Sequence, residues 1–169
     1  MSNVTFKGNA VSLAGSLPAN NSTAPDFTVV KSDLSEVSLS NFEGKVKVLI
    51  AVPSIDTGVC AAEARAFNTK LNNKENVVGL VISKDLPFAQ KRFCEAEGLA
   101  NIVTGSDFRY GQFAQQYGTL MLDGPLKGLS ARVIFIVDKN NKIAYTQVIT
   151  EITTEPDYDA VLAEIDKLV

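Results

Sequence analysis

Apolar positions along this chain fall into short buried-type runs separated by helical stripes, and their order predicts an α/β architecture. Val46 to Val52 is an almost continuous, β-branched run, the pattern of a strand covered on both faces. Pro53 stops it. The loop Ser54-Ile55-Asp56-Thr57-Gly58 leads into a helical stretch from about Val59 to Leu71, and Val77 to Ile82 is the next buried-type strand. Strand, helix, strand in that order implies a parallel pair. Asp85 is expected to cap a second helix, with Pro87 inside its first turn and an end near Gly98. Ile102-Val103 reads as a short strand. Ser106 is expected to open a further helix carrying Phe108, Phe113 and Tyr117.

The two ends of the chain read differently from its middle. Val4-Thr5-Phe6, a turn at Lys7-Gly8-Asn9 and Ala10 to Leu13 predict a small hairpin, because Asn and Gly tolerate the positive φ of tight turns. Phe27 to Val30 reads as a strand. Arg132 to Val137 and Ile143 to Ile149 flank Asp138-Lys139-Asn140-Asn141-Lys142, an antiparallel hairpin signal. Pro156 starts a final helix whose apolar Tyr158, Val161, Leu162, Ile165 and Leu168 line one face. Strand–helix–strand, then a hairpin and a helix, is the order of a thioredoxin-like α/β fold: a central mixed sheet flanked by helices, with the N-terminal hairpin added. Without repeats, low-complexity tracts or a linker, residues 1–169 are expected to form one domain.

Composition narrows the chemistry more than it narrows the fold. The net charge of −3 comes without clustered Lys or Arg, which argues against nucleic acid as a partner. No apolar run is long enough to span a bilayer. Residues 1–7 lack a basic stretch followed by an apolar core, so the expectation is a cytoplasmic protein, with a periplasmic one left open. There is no histidine. This excludes Ser-His and Cys-His hydrolases, His-ligated haem and His-containing zinc sites. Two cysteines alone cannot supply a four-thiolate metal site. Chemistry here has to run on Cys, Arg, Lys, carboxylates, hydroxyls and backbone.

Cys60 falls after a buried strand, in the first turn of the following helix. Backbone N–H groups there are unpaired and the helix dipole favours negative charge. Both effects stabilise thiolate over thiol, and the thiolate is the nucleophile. With no histidine, any cation assisting it must be Arg or Lys. Three residues earlier, Thr57 stands where a Cys-x-x-Cys reductase has its first cysteine, and position 63 is Glu63. Dithiol exchange by that motif is therefore disfavoured. A threonine hydroxyl can both donate and accept, which suits orienting a peroxide against the sulfur; it could also serve only as a helix cap.

Pro53-x-x-x-Thr57-x-x-Cys60 resembles the active-site signature of the peroxiredoxins. The longer string Pro53-Ser54-Ile55-Asp56-Thr57-Gly58-Val59-Cys60 is similar to their thiol peroxidase branch, the atypical two-cysteine peroxiredoxins. So are Val4 to Asn9, Ala24-Pro25-Asp26-Phe27, Asp85 to Gln90, Arg92 to Gly98 and Asp123-Gly124-Pro125-Leu126, in order along essentially the whole chain. The resemblance implies Cys60 as the peroxidatic cysteine and Thr57 as the hydroxyl that binds peroxide and thiolate. It implies Pro53 as the shield against water, Arg132 as the essential arginine, and Cys94 as the resolving cysteine. It further implies a hydroperoxide substrate with alkyl hydroperoxides favoured, a thioredoxin-like reductant, a homodimer, and no cofactor or metal.

Blander readings stand beside these. Free cysteine is among the most buried residue types, and Cys94 alone would read as a core residue. Arg132 opens a very apolar strand and could be a structural ion pair. Arg65, Arg92 and Arg109 read as surface or ion-pair residues, Glu63 as solvated or Arg-paired, and Phe88, Phe93, Phe108, Phe113 and Tyr117 as core or interface. A glutathione peroxidase site would include a tryptophan, and this chain has none. A non-catalytic redox sensor would keep both cysteines without fast turnover. The two sulfurs lie 34 positions apart on separate helices, while a disulfide needs Cα atoms within about 7 Å. A local rearrangement after oxidation is therefore expected.

Overall fold

The computed structural model describes residues 3–169. Strands β1 (Val4–Phe6) and β2 (Asn9–Val11) pair antiparallel as the predicted hairpin. Its turn is tighter than the sequence suggests: Lys7 (φ 50°) and Gly8 (φ 81°) alone form it, and Asn9 already belongs to β2. Strands β3 (Thr28–Val30), β4 (Glu36–Ser38), β5 (Val46–Ala51), β6 (Val77–Ser83), β7 (Val103–Ser106), β8 (Val133–Val137) and β9 (Ile143–Val148) build one sheet in the order β4-β3-β7-β6-β5-β8-β9. The β5–β6 and β6–β7 pairs are parallel, and the outer pairs are antiparallel. This is the thioredoxin-like mixed sheet with an added hairpin. β5 and β8 are buried at every position, as their unbroken apolar runs require.

Among the described residues four helices flank the sheet: α1 (Gly58–Lys70), α2 (Pro87–Glu97), α3 (Gln112–Gln116) and α4 (Tyr158–Asp166). Alternation along the strands divides the core between two faces. Val48, Ile50, Val81, Ile134 and Ile136 face α1 and α4, meeting Phe67, Val161 and Ile165, and Phe93 of α2 packs at the edge. Leu49, Ala51, Leu80, Val133 and Phe135 face the other way, toward α3. There Phe27, Phe113, Tyr117 and Phe135 stack edge to face with centroids 5.0–6.2 Å apart, and Phe113 lies parallel to Tyr117 at 4.5 Å. Such pairs add about 0.5–1.5 kcal/mol each beyond their burial. Among the described residues no helix is long and apolar enough to cross a membrane.

Two local expectations fail for identifiable reasons. Asp85 does not cap α2: Leu86 holds the N-cap position, and the Asp85 carboxylate accepts from Ser54 and Ile55 instead. Ser106 opens no helix; it ends β7, pairing with Ser83 and Val30. The helix begins only at Gln112, and Asp107 accepts from the Phe113 and Ala114 amides, so Phe108 stays in the preceding loop, exposed. Strand β4 and the 3-10 turn Leu39–Phe42 are short, largely polar pieces whose pattern carries no period to detect.

Candidate active site

Cys60 is the third residue of α1, which starts at Gly58 with Thr57 in extended conformation at the N-cap. The loop before it is fixed by Pro53, itself buried, and by a hydrogen bond from the Val52 amide to the Ile82 carbonyl. The sulfur is fully buried within the apolar layer between α1 and the sheet. Thr57, three residues before Cys60, is exposed. Its hydroxyl donates to the Ser54 carbonyl at 3.0 Å rather than capping the helix, which leaves the oxygen lone pairs free to accept.

Arg132 enters from the residue just before β8. Its side chain is 2% exposed, and its donors have separate partners. Nη2 donates to Cys60 Sγ at 3.2 Å, Nη1 to Glu63 Oε2 at 2.6 Å and Nε to the Ile152 carbonyl at 2.9 Å. Glu63, one helical turn after Cys60, is fully buried, and its Oε1 has no partner. Burial pushes the Glu63 carboxyl up to about 7 against the pull of Arg132. Burial also works against the charge on Arg132, but Glu63 and Cys60 outweigh it and hold the guanidinium above its ordinary range. One cation thus faces two groups able to carry negative charge in an apolar pocket, an arrangement that favours a proton on one of them.

The N-terminal hairpin reaches this centre through one residue. The Ile152 amide donates to the Thr5 carbonyl at 2.9 Å, while the Ile152 carbonyl holds Arg132. Next to it, the Glu151 carboxylate accepts from the Gly8 amide at 2.7 Å and the Lys7 amide at 3.2 Å. These backbone donors, with those of Thr153, hold Glu151 down at about 2.

Cys94 sits apart from this cluster. It is half-buried on α2, and both cysteines are free thiols. Burial pushes the Cys94 thiol up, partly offset by a hydrogen bond with Thr104 of β7. The pairing of Val81 with Thr104 and with Ile50, and of Ile50 with Ile134, puts Thr104 and Arg132 on the same sheet face. Their strands are separated by β6 and β5, three spacings or about 14 Å at ~4.8 Å each. Of the predicted residues, Arg132 and Cys60 are in contact at 3.2 Å, Pro53 and Thr57 lie on the loop and N-cap just before Cys60, and Cys94 lies on a different helix. Of the other arginines, Arg65 pairs with Glu97 at 3.3 Å and Arg109 with Glu36 at 2.9 Å, all four being at least a third exposed. Glu63 belongs to the site; its only sequence signal is the spacing of three from Cys60 on one helix face.

A thioredoxin-like sheet with a buried, arginine-bonded thiol at a helix start defines a thiol-dependent redox protein. The chain matches the Redoxin family over residues 19–162. It is 53% identical over 165 residues to a thiol peroxidase of Leptospira interrogans, covering 96% of both chains. It is 50% identical over 167 residues to a thiol peroxidase of Oceanobacillus iheyensis, covering 99% of this chain and all of that one. A peroxiredoxin-like protein from Aquifex aeolicus superposes with a TM-score of 0.96 at 44% identity, over 100% of this chain and 98% of that one. A thiol peroxidase from Chromobacterium violaceum, 23% identical with a TM-score of 0.89 over 97% of this chain and 95% of that one, shares the fold. The chain belongs to the redoxin family, in its thiol peroxidase branch.

Proposed function

We propose that this chain, acting as one domain, reduces hydroperoxides through Cys60 and resolves the product through Cys94. The observation that carries this reading is the Arg132 guanidinium 3.2 Å from the buried Cys60 sulfur. The Cys60 thiolate attacks one peroxide oxygen, the O–O bond breaks, and the sulfur becomes sulfenic acid, while the other oxygen leaves as alkoxide or hydroxide and takes up from solvent the proton the thiol released on ionising. Arg132 donates to the sulfur and to the departing oxygen, Thr57 accepts from the peroxide, and Pro53 keeps water off the sulfur. Cys94 then displaces the hydroxyl as water, forming a disulfide. Because the groups that hold the two sulfurs lie on strands about 14 Å apart, the first turn of α1, the end of α2 or both must open.

Turnover requires a dithiol donor of thioredoxin type, and alkyl hydroperoxides suit the apolar surroundings. Leu86, Phe88, Phe108 and Tyr110 are 45–65% exposed, and a groove of about 430 Å³ runs past Leu34, Leu86, Phe88 and Phe108. A contiguous apolar patch of this kind fits the interface of a homodimer. The test is a thiol count and intact mass on reduced protein seconds after one equivalent of cumene hydroperoxide. Loss of both thiols is expected, abolished by Cys60→Ser and stopped at sulfenic acid by Cys94→Ser. Two unreacted thiols would overturn the reading and leave a structural or sensing role.

A further inference from the structure

Asp85 lies between β6 and α2, and its carboxylate turns away from the helix amides to collect donors from elsewhere. Oδ1 accepts from Ser54 Oγ at 2.7 Å. Oδ2 accepts from the Ile55 amide at 2.9 Å and from Ser83 Oγ at 2.5 Å. Ser54 and Ile55 belong to the loop that carries the chain from β5 to Cys60. Ser83 Oγ in turn accepts from Gln90 Nε2 at 3.1 Å, and the same amide group donates to the Gly105 carbonyl at 3.1 Å. Gln90 is fully buried and stands one helical turn before Cys94 on α2. The Asp85 carbonyl accepts from Ser106 Oγ, tying the residue to the end of β7. A continuous chain of hydrogen bonds thus joins the loop ahead of Cys60 to the helix of Cys94, and Asp85 is its only charged member.

We propose that Asp85 is a positioning residue that couples these two segments so that they open as one unit. Its hold then sets how the Cys60 sulfenic acid divides between disulfide and sulfinic acid. This rests on Cys60 and Cys94 being the attacking and resolving thiols. In resolution, an S–S bond forms, the sulfenic S–O bond breaks, and the hydroxyl leaves as water with the Cys94 proton. In overoxidation, a second hydroperoxide loses its O–O bond to the sulfur. The sulfur gives up two electrons and gains one oxygen, and the alcohol departs. Resolution needs both segments open, because the sulfurs are held over separate strands. Overoxidation needs only the closed peroxide pocket. A firm Asp85 coupling therefore prolongs the sulfenic acid where peroxide can reach it.

A purely local role for Asp85 would steady the loop alone, which hydrogen–deuterium exchange on the reduced protein separates from coupling. In Asp85→Ala, which removes the three hydrogen bonds that the carboxylate accepts, amides of residues 54–62 and of 90–97 are both expected to exchange at least about tenfold faster. Amides of β5 and β8 should keep their wild-type rates. Under excess cumene hydroperoxide, the share of protein trapped with a sulfinic Cys60 should fall severalfold. Asp85→Asn keeps an acceptor for Ile55 and should shift both segments less. Ser54→Ala removes one hydroxyl from a half-buried loop position, leaves the fold intact, and should loosen both segments in the same direction. Acceleration confined to one segment, or an unchanged sulfinic share, overturns the proposal. Exchange is read without peroxide, so it stands apart from the chemistry. Failure of the wild-type protein to join Cys60 to Cys94 would instead overturn the functional reading beneath it.

Discussion

Replacing Arg132 by Met, alone and together with Glu63→Gln, separates what the arginine does for the fold from what it does for the sulfur. The single substitution removes donors at 3.2 Å to Cys60, 2.6 Å to Glu63 and 2.9 Å to Ile152. Breaking a buried ion pair ordinarily costs about 3–5 kcal/mol, because one charge stays buried and unpaired. Here the orphaned Glu63 already sits at about 7 and takes up a proton at neutral pH, so the low end of that range is expected. The chemical loss is larger. One preorganised donor aimed at developing charge is worth about 10²–10³ in rate, and in the proposed reaction Arg132 serves both sulfur and leaving oxygen, so a fall of about 10³ or more is expected. Single-turnover stopped flow with cumene hydroperoxide reads the rate, and urea unfolding reads the stability. The double variant should recover much of the lost stability, since no buried acid remains, while its rate stays low. A double variant within about threefold of the wild-type rate would refute the argument, showing that the arginine only neutralises Glu63.

Glu63→Gln tests the buried acid by pH. Its carboxyl moves from 4.5 in the unfolded chain to about 7 in the fold. The native state thus binds the proton more tightly, and stability from this site is full below 4.5 and falls as pH rises through 7. Relative to Glu63→Gln, the wild type should lose up to about 3 kcal/mol between those limits by urea unfolding; parallel pH profiles would contradict this. Thr57→Val removes the exposed hydroxyl and should slow peroxide consumption by about 10², with Thr57→Ser nearly unaffected, since positioned polar groups contribute at that level. Glu151 is held near 2 from an ordinary 4.5, so its grip on the hairpin should be complete above 4.5 and fade as pH falls toward 2. Amide exchange of Lys7 and Gly8 should show that loss, and Glu151→Gln should show it already at neutral pH.

The pattern of apolar positions was sufficient for the parts of the fold that carry the site. β5, α1, β6, β8 and β9 follow from runs and stripes long enough to bury a face, and such patterns tolerate few alternatives. The errors cluster at polar residues between elements. Asp85 before Pro87 matches a helix cap, but the carboxylate finds donors on a loop thirty residues upstream. Ser106 before an aromatic stretch matches a helix start, but parallel pairing with β6 claims it first. A short polar side chain has several satisfying partners, and only the packed chain decides among them.

The part of the site legible in the sequence is the part that is local along the chain. Cys60 and Thr57 are local: strand, loop and helix start are contiguous, and their chemistry follows from position on one helix end. Arg132 is 72 residues away from Cys60, and only its family motif pointed to it. Glu63 was open to either reading, because a carboxylate on a helix is usually solvated. What fixes its role is the excess of acids over bases in a dry pocket. Cys60 and Glu63 lie one turn apart on α1, so any cation that reaches the sulfur also reaches the carboxyl. Arg132 cannot compensate both as full anions without water. Burial pushes the Glu63 carboxyl up to about 7, and in the proposed reaction each proton it takes up leaves more of the guanidinium charge to the sulfur.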